Sequence, residues 1–222
     1  MNYRVKLLIF LACALAVFLV LDVGYSALNT LSRLNAVEAE RDEWQRPVEM
    51  LQASDLRPGN VVVDLGCGSG YLTLKLSSAV GGDGRVIAED IRKLPLVFLW
   101  LRTILRREHN VEIVLGEPAD PHLPTHVNAV LILNTYHEVR DARSILARVS
   151  ASLVAGGRLV VVDRWPRRIS AGDTGLVSHE VSPDQVEREL HEAQFEIVSR
   201  EDQFIQKDPD DEAWWLIVAR KP

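Results

Sequence analysis

The stretch from Asn60 to Leu76, NVVVDLGCGSGYLTLKL, constrains this chain most, because it joins a buried strand to a helix through a loop carrying Asp64, Gly66, Gly68 and Gly70. A loop built for a pyrophosphate wants glycines spaced G-x-G-x-x-G and no negative charge close by, since the N-terminal N–H groups of the helix attract an anion. Here the spacing is G-x-G-x-G, and Asp64 stands two places before the first glycine, where it repels a phosphate. A carboxylate at the strand end suits a ligand with a cationic amino acid end, and the glycines allow its close approach to the backbone.

S-adenosylmethionine is such a ligand, and a second acidic position fits it. Asp90 closes the next apolar segment, Arg85 to Asp90, twenty residues beyond Gly70. Together these features resemble the class I S-adenosylmethionine-dependent methyltransferases, in which an acidic side chain at that place accepts bonds from the two ribose hydroxyls.

From about Glu43 onward, apolar runs of strand length alternate with helical patterns, as in a doubly wound α/β sheet. Strands are predicted at 60–65, 85–90, 111–115, 128–133, 158–163, 195–200 and 214–219, and helices at 70–80, 94–107, 141–154 and 183–193. Gly156-Gly157 reads as a helix stop, and Ser182-Pro183-Asp184-Gln185 as a capped start with a reciprocal Gln. Only the acidic loop 201–212 separates the last two strands, so they form a hairpin. The resemblance implies the rest: a mostly parallel seven-stranded sheet with an antiparallel last strand.

The chain of 222 residues, 47% hydrophobic, is long enough for one domain with something added in front. Leu7 to Leu21 is an unbroken apolar run, preceded by Arg4 and Lys6 and followed by Asp22. At ~1.5 Å per residue it falls short of a ~30 Å hydrocarbon core unless Val23 to Leu28 contribute. Residues 1–25 therefore read as a single-pass anchor or signal segment, 26–42 as a linker or helical stalk, and 43–222 as the methyltransferase domain. Cleavage near Ser26 is the alternative to an uncleaved anchor. The positive-inside rule sends the domain out of the cytoplasm, to the periplasm in a bacterium with two membranes, whereas cofactor supply argues for the cytoplasmic face.

The two cysteines, Cys13 and Cys67, read as free thiols. The net charge is −6, and from Glu180 to Glu212 twelve acidic residues face three basic ones. Such a surface opposes binding of a phosphate backbone, so no nucleic-acid partner is expected.

Further motifs, Glu43 to Pro47, Asp120 to Pro124, Asn134 to Glu138 and Ser178 to Pro183, resemble a group of small bacterial methyltransferases that often carry an N-terminal signal or anchor. Glu138 departs from that group, which often has a second histidine there.

In an open parallel sheet the ligand lies outside the carboxyl ends of the strands. That places Asp64, Gly66, Cys67, Gly68, Ser69 and Gly70, then Asp90 and Ile91, at the expected cofactor site. By analogy Glu117, with Asp120 as the alternative, meets the adenine amino group, and the Asn134 backbone carbonyl faces the ammonium. His137 is the candidate general base, because an unperturbed imidazole titrates near ~6.5. Tyr136 offers an aromatic wall or a hydroxyl, Glu138 orients His137 or accepts a proton itself, and Asp163 and His179 border the same mouth.

No metal site is expected, since Pro121 and Pro124 prevent the helix that would bring His122 and His126 together. Leu94 to Leu105 reads as a helix packed on the sheet with Arg102, Arg106 and Arg107 on its exposed flank, or as a surface where Trp100 touches lipid. The expected activity is methyl transfer to a small or lipid-like acceptor, and a non-catalytic S-adenosylmethionine-binding module is the alternative. The glycine spacing and Asp64 both oppose a nicotinamide-dependent oxidoreductase.

Overall fold

The computed structural model describes residues 2–165, 181–206 and 213–222. The chain divides after Glu43 into an N-terminal unit and a unit of Trp44–Pro222. The N-terminal unit lies in one helix, α1 (Tyr3–Trp44), which runs without a break through Gly24 and the expected stalk. At about 1.5 Å per residue it is ~60 Å long, and its first half is long and apolar enough to cross a membrane. A signal sequence meets the same criterion.

The second unit contains seven strands: β1 (Val61–Leu65), β2 (Arg85–Asp90), β3 (Val111–Leu115), β4 (Val127–Leu133), β5 (Leu153–Arg164), β6 (Glu196–Ile205) and β7 (Trp214–Arg220). They form one sheet in the order β3-β2-β1-β4-β5-β7-β6. Pairing is parallel from β3 through β5, while β7 runs antiparallel to both β5 and β6. The connection between β6 and β7 is too short for the crossover that parallel strands need, which forces the reversal.

Side chains alternate between two cores. Val63, Leu65, Ile87, Val130, Ile132 and Val161 pack with α5 (Ala142–Ser152) and α6 (Pro183–Glu192). On the other face Val62, Val86, Ala129, Leu131 and Val160 pack with α2 (Pro47–Ala53) and α3 (Tyr71–Val80). Burial on both faces explains why the central strands read as unbroken apolar runs. A third cluster joins Cys67 and Ala88 to Leu96 and Leu99 of α4 (Lys93–Arg106).

Two local expectations are corrected. Gly156-Gly157 does not end α5, because Leu153 already has extended geometry and begins β5. The glycines sit in an irregular stretch of that strand, where Gly156 has φ 76° and donates to the Lys221 carbonyl at 2.8 Å. At α6, the Ser182 hydroxyl caps Gln185 N at 3.3 Å as expected, but the Gln185 amide reaches forward to Glu189 at 2.9 Å. Only half of the capping box is present.

Candidate cofactor and acceptor site

The loop after β1 is held from below by β2. The amides of Gly66 and Cys67 both donate to the Glu89 carbonyl at 2.8 Å, and Gly70 N donates to Cys67 O at 3.0 Å. Gly66, Gly68 and Gly70 all have left-handed φ, at 79°, 55° and 93°. Their surroundings differ. A Cβ at Gly66 would collide with the Thr135 side chain, and one at Gly70 with Leu99, whereas one at Gly68 would meet no protein atom within 4 Å. Packing therefore requires the outer two glycines, and the middle one presents bare backbone to the site.

Three buried carboxylates gather at this loop: Asp64, Glu89 and Asp90, each no more than 3% exposed. Asp64 accepts from the Thr73 hydroxyl at 2.6 Å, at the start of α3. Asp90 takes Gly68 N on Oδ2 at 2.9 Å and Arg92 N on Oδ1 at 2.8 Å, with the Arg92 Nε at 3.2 Å. Burial pushes the Glu89 carboxyl up to about 7 against the bond from Gly66, and the charges of Asp90 and Asp64 add to the rise. Its carboxylate lies against Gly116, where any Cβ would strike it. The Cys67 thiol is pushed far up by burial and then by the same three carboxylates, so it is not a nucleophile. Both cysteines are free, as expected. Sequence reasoning missed Glu89, because an acidic residue next to Asp90 reads as part of a solvated strand end.

Arg102 corrects another expectation. It is buried, and its Nη1 donates to the Ser69 carbonyl at 2.6 Å, bracing the loop from α4 rather than lying on an exposed flank. Ile91 is half exposed just beyond Asp90. At the end of β4, Asn134 adopts φ 52° and donates its amide to Val162 O at 2.8 Å. Its side-chain Oδ1 is buried and has no hydrogen-bond partner among the described residues. Glu117 and Asp120 exchange backbone bonds in a tight turn after β3. The Asp120 carboxylate pairs with Arg148 at 3.1 Å, and the Glu117 side chain is largely exposed.

A 3₁₀ turn, Tyr136–Glu138, follows β4. Within it the three candidate residues separate. Tyr136 is buried in the core, and its hydroxyl donates to Glu189 of α6 at 2.7 Å, so it supplies neither a wall nor a free hydroxyl to the mouth. The phenol is pushed far above its ordinary range by burial and then by Glu189. His137 is held by Asp163 at the end of β5: Nδ1 lies 2.9 and 3.0 Å from the two carboxylate oxygens, and the His137 amide donates to Oδ2 at 3.1 Å. Glu138 is half exposed and 3.9 Å from Nε2, so orientation comes from Asp163 instead. The bond to Asp163 raises the His137 pKa above its ordinary value, burial opposes the rise, and the charges of Asp163 and Glu138 add to it.

His179 lies outside the described residues. His122 and His126 both have left-handed φ, at 51° and 65°, so no helix aligns them. Among the described residues no group of His, Cys, Asp and Glu is arranged to hold a metal ion.

Residues 62–157, from β1 into β5, match the family described as "Methyltransferase domain". The chain carries a class I S-adenosylmethionine-dependent methyltransferase domain. The match takes in the glycine loop, Asp90, Asn134 and His137, and it stops short of Asp163. One curated relative of this methyltransferase domain is the ubiquinone/menaquinone biosynthesis C-methyltransferase UbiE of Shewanella sp. (strain W3-18-1), 33% identical over 124 residues. That alignment covers 54% of this chain and 48% of the relative, so the chain spans about half the length of the curated relatives it matches. Among solved structures, a SAM-dependent methyltransferase of Aquifex aeolicus superposes with TM-score 0.71 at 21% identity, covering 86% of this chain and 98% of that one. The geranyl diphosphate C-methyltransferase of Streptomyces coelicolor A3(2) superposes with TM-score 0.66 at 14% identity, covering 80% and 79%. These likenesses show the fold.

The site of the methyltransferase domain fits the cofactor on its own chemistry. A cation is favoured by the buried Asp64 and Asp90 carboxylates, the Asn134 Oδ1 is a buried acceptor without a partner among the described residues, and Gly68 admits close approach.

Proposed function

We propose that this protein transfers a methyl group from S-adenosylmethionine to a small or lipid-like acceptor while held at a membrane by residues 5–25. The observation that carries the reading is the pairing of two features at the strand ends: a glycine loop ringed by Asp64, Glu89 and Asp90, and an imidazole fixed by Asp163. When bound, S-adenosylmethionine supplies a methyl carbon made electrophilic by its sulfonium. Asp90 accepts from the ribose hydroxyls, Asp64 and Asn134 receive the ammonium, and Glu117, with Asp120 as the alternative, meets the adenine amino group. With Nδ1 directed at Asp163, His137 presents Nε2 to the acceptor and takes its proton, and the Asp163 carboxylate stabilises the resulting imidazolium. In this reading residues 1–25 form the anchor, 26–42 the stalk and 43–222 the enzyme.

The decisive experiment incubates the full-length protein with S-adenosylmethionine and a metabolite and lipid extract, and measures release of S-adenosylhomocysteine. Turnover is expected. Tight cofactor binding without turnover on any fraction would establish a binding module, and failure to bind would sink the proposal. The charge bias of Arg4 and Lys6 before the apolar run supports a domain outside the cytoplasm, against the argument from cofactor supply. Protease added to intact spheroplasts should then digest it, and a domain protected until lysis would reverse the orientation.

Asp163 is a positioning residue whose effect is read in the pH profile. The base form of His137 is neutral, and its raised pKa puts the rising limb of kcat/KM above ~6.5. Asp163→Asn should lower kcat and move that limb to lower pH, a shift that a purely structural role would not produce. The sign for stability follows from the same bond: the pair's contribution is complete below ~6.5 and is lost as pH rises through the raised folded value.

A further inference from the structure

We propose that the outward face of α4 docks on an anionic phospholipid bilayer and sets the mouth of the cofactor site at the lipid–water interface. Leu94, Val97, Trp100, Ile104 and Leu105 are each more than half exposed. At ~3.6 residues per turn these positions share one side of the helix, opposite the buried Leu96, Leu99 and Thr103. Soluble domains rarely leave so large a contiguous apolar strip in water. Trp100, 56% exposed, is the one exposed tryptophan of the five in the chain. An amphipathic indole is suited to the headgroup boundary.

Charge selects the occupant. From Ile91 to Arg107 there is no acidic residue, although the chain carries a net −6. Arg92 and Lys93 stand exposed at one end of the apolar strip and Arg106 and Arg107 at the other, ~20 Å apart along the helix. Arg92 bonds Asp90 and still leaves 57% of its side chain exposed. Cations at a helix N-terminus oppose the helix dipole, and the first turn of α4 has no acidic residue to balance them. Helix stability therefore does not explain Lys93, and Arg92 keeps more than half of its side chain exposed beyond its bonds to Asp90, so both are placed to meet anionic headgroups bordering an apolar contact. Because α4 starts three residues after Asp90, docking this face brings the strand ends to the membrane, where a lipid-like acceptor is concentrated. The inference rests on the anchoring reading above for the tether alone, and not on catalysis.

The test uses the full-length protein in vesicles of phosphatidylcholine and phosphatidylglycerol with brominated acyl chains, which quench tryptophan at the bilayer. Quenching is expected. Trp100→Phe should remove most of it, Val97→Glu and Ile104→Glu should each weaken it, and pure phosphatidylcholine or high salt should reduce it. A protein that floats with the vesicles but shows no quenching that depends on Trp100 overturns this proposal and leaves the anchor standing. A protein that does not float overturns both. Should Trp100 instead become shielded from acrylamide as protein concentration rises, with no bromolipid quenching, the face belongs to a second copy of the chain and the bilayer assignment fails.

Discussion

Turnover by the His137→Ala variant is expected to fall roughly 10²- to 10⁴-fold, the usual contribution of a positioned general base, with cofactor affinity nearly unchanged. The separation of the two effects follows from geometry. His137 sits on the 3₁₀ turn after β4 and bonds to Asp163, and it makes no bond to the glycine loop. S-adenosylhomocysteine release measures the first quantity and calorimetry with S-adenosylmethionine the second. Added imidazole should restore part of the rate if the alanine has removed only a proton acceptor. Full activity on an identified acceptor would remove His137 from the mechanism and leave Glu138 and His179 as the positions to test.

Gly68→Val is expected to abolish S-adenosylmethionine binding while leaving the domain folded. A Cβ there meets no protein atom within 4 Å, so the fold does not need a glycine for space. The backbone at φ 55° does resist a branched side chain, by about 1–2 kcal/mol. Gly68→Asn tolerates that conformation and still places a side chain over the loop, so it separates blocked approach from strain. Gly66 and Gly70 behave differently: any side chain there collides with Thr135 or Leu99, and thermal melting should fall along with binding. Asp90→Ala offers a graded comparison, since it removes bonds to a charged acceptor worth about 1.5–3 kcal/mol each. Wild-type binding of a nicotinamide dinucleotide in place of S-adenosylmethionine would overturn the reading of the loop.

The sequence by itself determined the alternation of strands and helices after residue 60, the final hairpin, the loop and its preference for a cationic ligand. These properties are local: periods of two and 3.6 residues, glycine spacing, and a connection too short for a parallel return. Strand bounds at 85–90 and 111–115 coincide with β2 and β3. Tertiary structure alone decided which polar side chains face the site. Tyr136 and His137 are neighbours in a motif, yet the 3₁₀ turn sends one hydroxyl into the core toward Glu189 and leaves the other side chain to Asp163. Arg102 reads as a solvated cation until α4 packs it beneath Ser69. The sequence places Asp163 at the mouth but not its bond to His137, because that partner lies on the turn after another strand, 26 residues away in the chain. Side-chain direction at a strand end depends on the packing of neighbouring elements. One sequence read along its length holds the identity of each residue and omits which distant residue will reach it.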